Sequence, residues 1–212
     1  MGNKILHLLL IFICITSCNT NKKGEKISDK NSFMNIDEFL TYQHYNDSLA
    51  CLESTSNKKI FLDIRFGDSK EMVTNKLFVA VENELIKYDT ENWYLTHMYK
   101  DNTFKFVIDC SYHNDSLYEM FFEGELLIPA KISDYDIKMA LFDYFKTDLK
   151  DAAKLKHDGS DYRNMLKYEG SIKYSLDNAT FYIVDMPLEK KMIDNLDISE
   201  SQAIADFVFG SE

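Results

Sequence analysis

The chain reads as an α+β protein: a single domain built on a mainly antiparallel sheet, with two long amphipathic helices packed on one face. Three observations point there. Apolar and polar residues alternate over short runs, whereas a buried parallel sheet needs strands that are apolar on both faces. The runs come as a three-strand meander and a later hairpin. Two longer stretches, opening at Asp68 and Ser133, repeat apolar residues at helical spacing.

Element by element, Asn35 to Glu53 places Ile36, Phe39, Leu40, Leu49 and Leu52 at helical spacing around a Tyr-rich middle, so one or two short helices are expected. Lys59 to Phe66 alternates as one half-buried strand ended by Gly67. Asp68 and Glu71 have capping-box spacing, and Val73, Leu77, Val81, Leu85 and Tyr88 form the stripe of the helix that follows, widened by Met72, Phe78 and Ile86. The meander runs Trp93–Tyr99, Phe104–Tyr112 and Leu117–Ile128. Phe104, Phe106, Ile108, Cys110 and Tyr112 share one face, as do Tyr118, Met120, Phe122, Leu126 and Ile128. Pro129 stops the third strand. Ser133 with Asp136 caps a second long helix with the stripe Ile137, Leu141, Tyr144, Phe145, Leu149 and Leu155. After a polar loop at His157 to Arg163, Ile172–Leu176 and Phe181–Val184 form a hairpin about Asp177-Asn178. Ser199 with Gln202 caps a last short helix carrying Ile204, Phe207 and Val208.

The chain has 212 residues, 45% hydrophobic and 28% charged, which suits one sizeable core. Its closest two glycines lie eleven residues apart, which excludes the clustered glycines of a P-loop or a dinucleotide fingerprint. Residues 33–212 carry 19 Lys and Arg against 33 Asp and Glu, a net charge of −14. Such a surface argues against nucleic acid, whose binding rests on basic side chains displacing counterions.

At the N-terminus, Lys4 precedes an apolar run from Ile5 to Ile15, too short for the roughly 20 residues that span a bilayer and of the length of a secretory signal. The run ends in Ile15-Thr16-Ser17-Cys18, which resembles the lipobox of bacterial lipoproteins. The resemblance implies a signal peptide over residues 1–17, cleavage before Cys18, lipidation of its sulfur, and a location in the cell envelope. Two or three acyl chains hold a protein stably where one holds marginally. Residues 18–32 are then a tether, with Ile27 as the only large apolar side chain and Lys22, Lys23, Lys26 and Lys30 against Glu25 and Asp29. The globular acidic domain occupies residues 33–212. By the same resemblance, the lack of acids just after Cys18 implies an outer-membrane anchor facing the periplasm.

Phe61 to Leu77, FLDIRFGDSKEMVTNKL, resembles the strand-Gly-x-Ser-helix opening, often FGMSKEEV-like, of Bacteroidetes lipoproteins. More loosely it is similar to β-lactamase-inhibitor-like and small outer-membrane-assembly lipoproteins. Asp68 stands where a Met-like residue is usual, and the Leu-Gly-x-Pro that closes the helix in the assembly lipoproteins is missing. No functional residue carries over. Asp47-Ser48-Leu49 and Asp115-Ser116-Leu117 look like the Asp-Ser/Thr-apolar acceptor for O-linked glycan in exported Bacteroidetes proteins, making Ser48 and Ser116 the candidate sites.

Catalytic patterns are sparse. Gly67-Asp68-Ser69 lacks the second glycine of a nucleophile elbow and reads as a helix cap. His44, His97, His113 and His157 show no metal-ligand spacing, so no metal or other cofactor is expected; His97, facing with Trp93 and Leu95, reads as a hydrogen-bonded core residue. Asp158-Gly159-Ser160-Asp161 lacks the alternating ligands of a calcium loop. Glu123 with Glu125 and Asp134 with Asp136 are paired acids of the type glycosidases use. Cys51 and Cys110 read either as buried thiols or, in an oxidising compartment, as a disulfide. The expected function is therefore a non-enzymatic, lipid-anchored envelope protein that binds another envelope macromolecule, with neither nucleotide nor nucleic acid as partner. The alternatives are an immunity or inhibitor lipoprotein that neutralises a basic toxin or enzyme, and a carboxylate-dependent glycan hydrolase.

Overall fold

Tight turns set the architecture. Lys100 and Asp101, then Asn114 and Asp115, all adopt positive φ, as the type I′ turn of a two-residue hairpin requires. The computed structural model describes residues 33–127, 133–156 and 162–196. Its elements are β1 (Phe33–Met34), α1 (Ile36–Ala50), β2 (Lys59–Phe61), β3 (Ile64–Arg65), α2 (Lys70–Glu82), β4 (Lys87–Tyr88), β5 (Trp93–Tyr99), β6 (Asn102–His113), β7 (Ser116–Leu126), α3 (Asp134–Tyr144), β8 (Ala153–Lys156), β9 (Tyr162–Glu169), β10 (Ile172–Asp177) and β11 (Thr180–Asp185). A further helix, α4, covers 186–196. The chain is one α+β domain whose nine-stranded sheet has the order β1-β8-β9-β10-β11-β7-β6-β5-β4. Every neighbouring pair is antiparallel except β1 with β8. No described helix is long and apolar enough to cross a membrane.

Two meanders, β4 to β7 and β8 to β11, meet where β7 pairs with β11. On one face of this sheet Phe104, Phe106, Ile108, Met120, Phe122, Tyr174, Leu176, Phe181 and Ile183 build the main core with Val73, Leu77 and Ala80 of α2 and with Ala140 and Leu141 of α3. Full burial of each large side chain contributes about 1.5–3 kcal/mol. Rings close the joint: Phe145, just past α3, lies 4.0 Å from Phe181 and 4.7 Å from Phe122.

The expectation of two long helices on a single face is corrected in number, length and placement. Four described helices are present, and α1 lies on the opposite face, where Phe39 packs with Ala153, Leu155 and Leu166, and Ala50 with Val184 and Met186. Leu166 and Val184 alternate with the core residues Met165 and Ile183, so they point to the other side of the sheet. α3 ends at Tyr144; Phe145 and Leu149 continue into the core from a turn, and Asp151, at φ 64°, redirects the chain so that Leu155 lies on β8.

Three finer expectations change. Lys59 to Phe66 is not one strand: Leu62, at φ 51°, turns it into the β2–β3 hairpin, across which Lys59 pairs with Asp63. The cap of α2 is Ser69, whose hydroxyl accepts from the Met72 amide. Asp68 instead accepts from the Arg65 amide at 2.8 Å and pairs with Lys76 at 2.5 Å. The stripe of α2 narrows to Val73, Leu77 and Ala80, leaving Leu85 59% exposed. In β7 a register shift opposite Ser111 and Tyr112 buries Leu117 in place of Tyr118. The polar loop's residues 157–161, Pro129 and the expected last helix lie outside the described residues.

Gly124 on β7 admits α3 closely: a Cβ there would stand 2.4 Å from Ile137 Cγ2 and 3.3 Å from the Ala179 carbonyl oxygen. The methyl belongs to a β-branched side chain, stiff on a helix. Gly124→Ala is expected to cost about 1–3 kcal/mol, and Ile137→Ala in the same chain to recover part of that loss; a double-mutant cycle in denaturant measures both.

Candidate functional site: an uncovered acidic sheet face

α1 is held over the β8–β11 half by a specific anchor. Asp47 accepts from the Tyr168 hydroxyl at 2.6 Å and pairs with Lys173 at 2.9 Å. Burial raises the Tyr168 hydroxyl well above its ordinary pKa, and the Asp47 charge adds to it. Glu189 of α4, near Lys173, is also raised by burial. On the core side, Glu169 bridges Lys58 and Lys167, each at 2.5 Å, while Lys58 also donates to the Tyr174 hydroxyl at 3.2 Å. Burial pushes the Glu169 carboxyl up, and the two ammonium groups overcome it, leaving it below its usual value. These groups are spent on each other and tie loops to the sheet.

The meander half is different. Beyond α1, the face opposite the core carries Tyr94, Thr96 and Met98 from β5, Lys105, Val107 and Asp109 from β6, and Phe121, Glu123 and Glu125 from β7, all intermediate or exposed, and at its margin Tyr182 from β11 packs against the Ala50, Val184 and Met186 cluster under α1. Register brings them together: Asp109 lies opposite Phe121, Val107 opposite Glu123, Lys105 opposite Glu125, and Phe121 opposite Tyr182 with ring centroids 5.8 Å apart. Glu119, on the same face, accepts from the Ser111 hydroxyl at 2.8 Å. Lys105 answers part of the charge, 3.2 Å from Asp89, 3.7 Å from Glu125 and 4.9 Å from the Tyr94 ring centroid. Backbone amides of Glu91 and Asn92, and then Lys105, hold Asp89 ionised below the ordinary carboxylate range. The result is a flat surface with Phe121 at its centre and more carboxylates than cations around it.

The residues singled out from sequence fall as follows. Cys18 and the segments 1–17 and 18–32 lie outside the described residues, as do His157 and the 158–161 loop. Ser48 is exposed on α1, and its hydroxyl donates to the His44 carbonyl at 2.9 Å. Ser116 opens β7 half-buried, directly after the Asn114-Asp115 turn, where the Asp115 carboxylate accepts from the Lys70 amide at 3.0 Å. Glu123 and Glu125 are neighbours on the open face; Asp134 and Asp136 sit in the first turn of α3, and Asp136 accepts from the Ser133 hydroxyl at 2.8 Å. Cys51 and Cys110 are free thiols in different surroundings, Cys51 beside Ala50, Val184 and Met186, and Cys110 on the main-core face of β6. His97 is half-buried, with Nε2 2.9 Å from Asp143 Oδ2 and its ring against Phe106 and Tyr144. Among the described residues, no three His, Cys, Asp or Glu side chains gather as a metal site.

Sequence reasoning missed Lys173, Tyr168, Lys167 and Glu169. The run Tyr162–Glu169 mixes Arg163, Asn164 and Lys167 with apolar residues and carries no clean alternation. Pairing of Lys167 opposite Tyr174, with its Nζ 5.6 Å from that ring centroid, was the hidden signal.

In comparisons with known proteins, no family model, no curated protein and no solved structure matches the chain.

Burial pushes the Cys110 thiol up to about 12 and raises that of Cys51 as well. Only the thiolate is nucleophilic. At pH 8 a water-soluble disulfide reagent is expected to leave Cys110 unmodified in the folded chain and to modify it promptly after denaturation. Peptide mapping of the modified chain checks this.

Proposed function

We propose that this chain is a lipid-anchored cell-envelope protein that acts by binding, and that its partner is a basic macromolecular surface taken up on the open face of β5, β6, β7 and β11. The observation that carries the reading is the placement of Asp109, Glu123 and Glu125 around Phe121, with Glu119 and Tyr182 at the margin toward α1, on the half of the sheet that α1 does not cover. An apolar centre with a charged rim is the ordinary anatomy of a protein interface, and complementary charge speeds encounter and selects partners. Of the two binding roles the sequence suggests, this favours an immunity or inhibitor lipoprotein that neutralises a basic toxin or enzyme. The anchor in the proposal is Cys18, within Ile15-Thr16-Ser17-Cys18.

Two measurements test it. Cys18→Ala is expected to keep the chain from being processed to a diacylated form and to abolish the corresponding mass shift on the Cys18 peptide; an unmodified Cys18 in the parent chain refutes the anchor. On the open face, Asp109, Glu123 and Glu125 are exposed, and reversing all three to Lys removes charge without touching the core. Exposed charge pairs contribute about 0.2–1 kcal/mol each, so affinity for a cationic probe protein is expected to fall roughly tenfold at low salt and the difference to shrink at high salt. Equal binding by parent and variant at low salt refutes the assignment of the face.

A further inference from the structure

The two ends of the sheet are finished differently. At one end β1 is two residues long, and β8 beneath it carries a register shift between Lys154 and Lys156. At the other end β4 covers only Trp93 and Tyr94 of the seven-residue β5. Among the described residues, no strand pairs with the outer edge of residues 95–99. Natural sheets blunt such an edge with a charge, a proline, a bulge or a cover. Leu95-Thr96-His97-Met98-Tyr99 has no Lys, Arg, Asp, Glu or Pro, and its ladder with β6 runs without a shift.

The direction of the edge groups follows from the turn. Tyr99 and Asn102 flank a two-residue type I′ loop, so they form a hydrogen-bonded pair, and the residues of β5 that bond β6 are then 99, 97, 95 and 93. Thr96 and Met98 direct their N–H and C=O outward. Beside this edge lie apolar side chains that the core does not use. Phe78 is 50% exposed, Tyr88 47% and Met98 71%. Phe78 meets Trp93 edge-on and Tyr88 lies tilted against it, with centroids at 4.6 and 4.4 Å, and Tyr144 flanks His97 at the middle of the edge.

We propose that the outer edge of β5 is a self-association site, at which a second copy of this chain pairs antiparallel, β5 to β5, about a twofold axis at His97. The five open residues fit that axis. Thr96 pairs with Met98 of the second copy and Met98 with Thr96, so both outward donor–acceptor sets are satisfied reciprocally, and β4 on one side and the Lys100-Asp101 turn on the other bound the register. Such a contact is isologous and closes at two copies. The exposed parts of Phe78, Tyr88, Met98 and Tyr144 amount to something on the order of 400 Å² per copy at about 150–250 Å² for a large side chain. With the β5 backbone and the Trp93 and Tyr99 rims, this approaches the ~800 Å² per partner of a standard specific interface. The edge also lies seven strand steps from β1, roughly 34 Å at about 4.8 Å per step, so β1 and Phe33 stand well away from it. The axis stands perpendicular to the sheet, and the open faces of both copies turn to the same side.

At the axis the two His97 side chains form a non-hydrogen-bonded cross-strand pair, the closer of the two kinds. His97→Cys in the full chain, oxidised mildly, is expected to give a disulfide-linked band at twice the chain mass that disappears on reduction and is absent from the parent. Thr96→Pro removes an outward N–H without breaking a β5–β6 bond, and combined with His97→Cys it is expected to abolish the band while circular dichroism stays unchanged. Should that variant unfold, Phe78→Ser with Tyr88→Ser, which leaves residues 95–99 unchanged, is expected to lower the band in its place. The detergent-solubilised parent is expected to sediment as a concentration-dependent dimer. A parent that sediments as a monomer at every concentration overturns the proposal, as does a folded Thr96→Pro chain that still dimerises. A His97→Cys band at a mass other than twice the chain overturns it too, since another protein then occupies the edge.

Discussion

The ring stack of Phe122, Phe145 and Phe181 is the joint on which the rest of the structure depends. β7 is followed in sequence by α3 and three more strands before the chain returns as β11 to lie beside it. That long-range pairing closes a loop of more than fifty residues, at an entropic cost that grows only slowly with loop length but must be met before the contact forms. Three rings within 4.0–6.2 Å, all at most 4% exposed, supply apolar burial at the seam. Gly124, one pair further along β7, lets α3 descend to touch the same seam. Without it the two meanders would be separate small sheets, each with an unsealed face.

Once the seam is closed, the faces of the sheet take different work. The core face is packed by α2, α3, the β2–β3 hairpin and the turn that follows α3. Among the described residues, the opposite face is covered chiefly where Asp47, Tyr168 and Lys173 hold α1 down. The other half is left with cross-strand pairs such as Asp109 with Phe121, which mix charge and ring in a way a buried layer does not tolerate. A bare face of that composition is suited to meeting another surface, and the proposed function rests on it. Joining copies edge to edge would set two such faces side by side, so that a large partner could be held at two points.

The meander over 93–126 is legible in the sequence because alternation and hairpin turns act over a few residues. Phe104, Phe106 and Ile108 point one way by parity alone, and Asn114-Asp115 takes positive φ readily. Legibility fails where the deciding contact is distant. Leu155 continues the helical period of Leu141, yet belongs to a strand because Asp151 turns the chain onto β9. Leu62 sits in an alternating run, yet is a turn because β2 and β3 fold back on each other as a separate hairpin whose Phe61 rests 4.9 Å from Phe122. For the candidate site, the acids of β7 are plain in the sequence, but their gathering with Asp109 and Tyr182 is a matter of register, and the bareness of the face depends on where α1 lies.

The short parallel pair of β1 with β8 determines how the molecule would bear a pull. Phe33 and Met34 are the first described residues and the outermost in the sheet, so tension arriving from the N-terminal side meets only two bridged residues before it passes to α1. There Met34 and Phe39 share one small apolar cluster, and the next firm hold is the Asp47 clasp on Lys173 and Tyr168. Stretching would peel a flap consisting of β1 and the start of α1 and stop at that clasp, leaving the seam, the bare face and the far edge undisturbed. The β1 flap would thus give way first, mechanically separate from the surfaces proposed to take up partners.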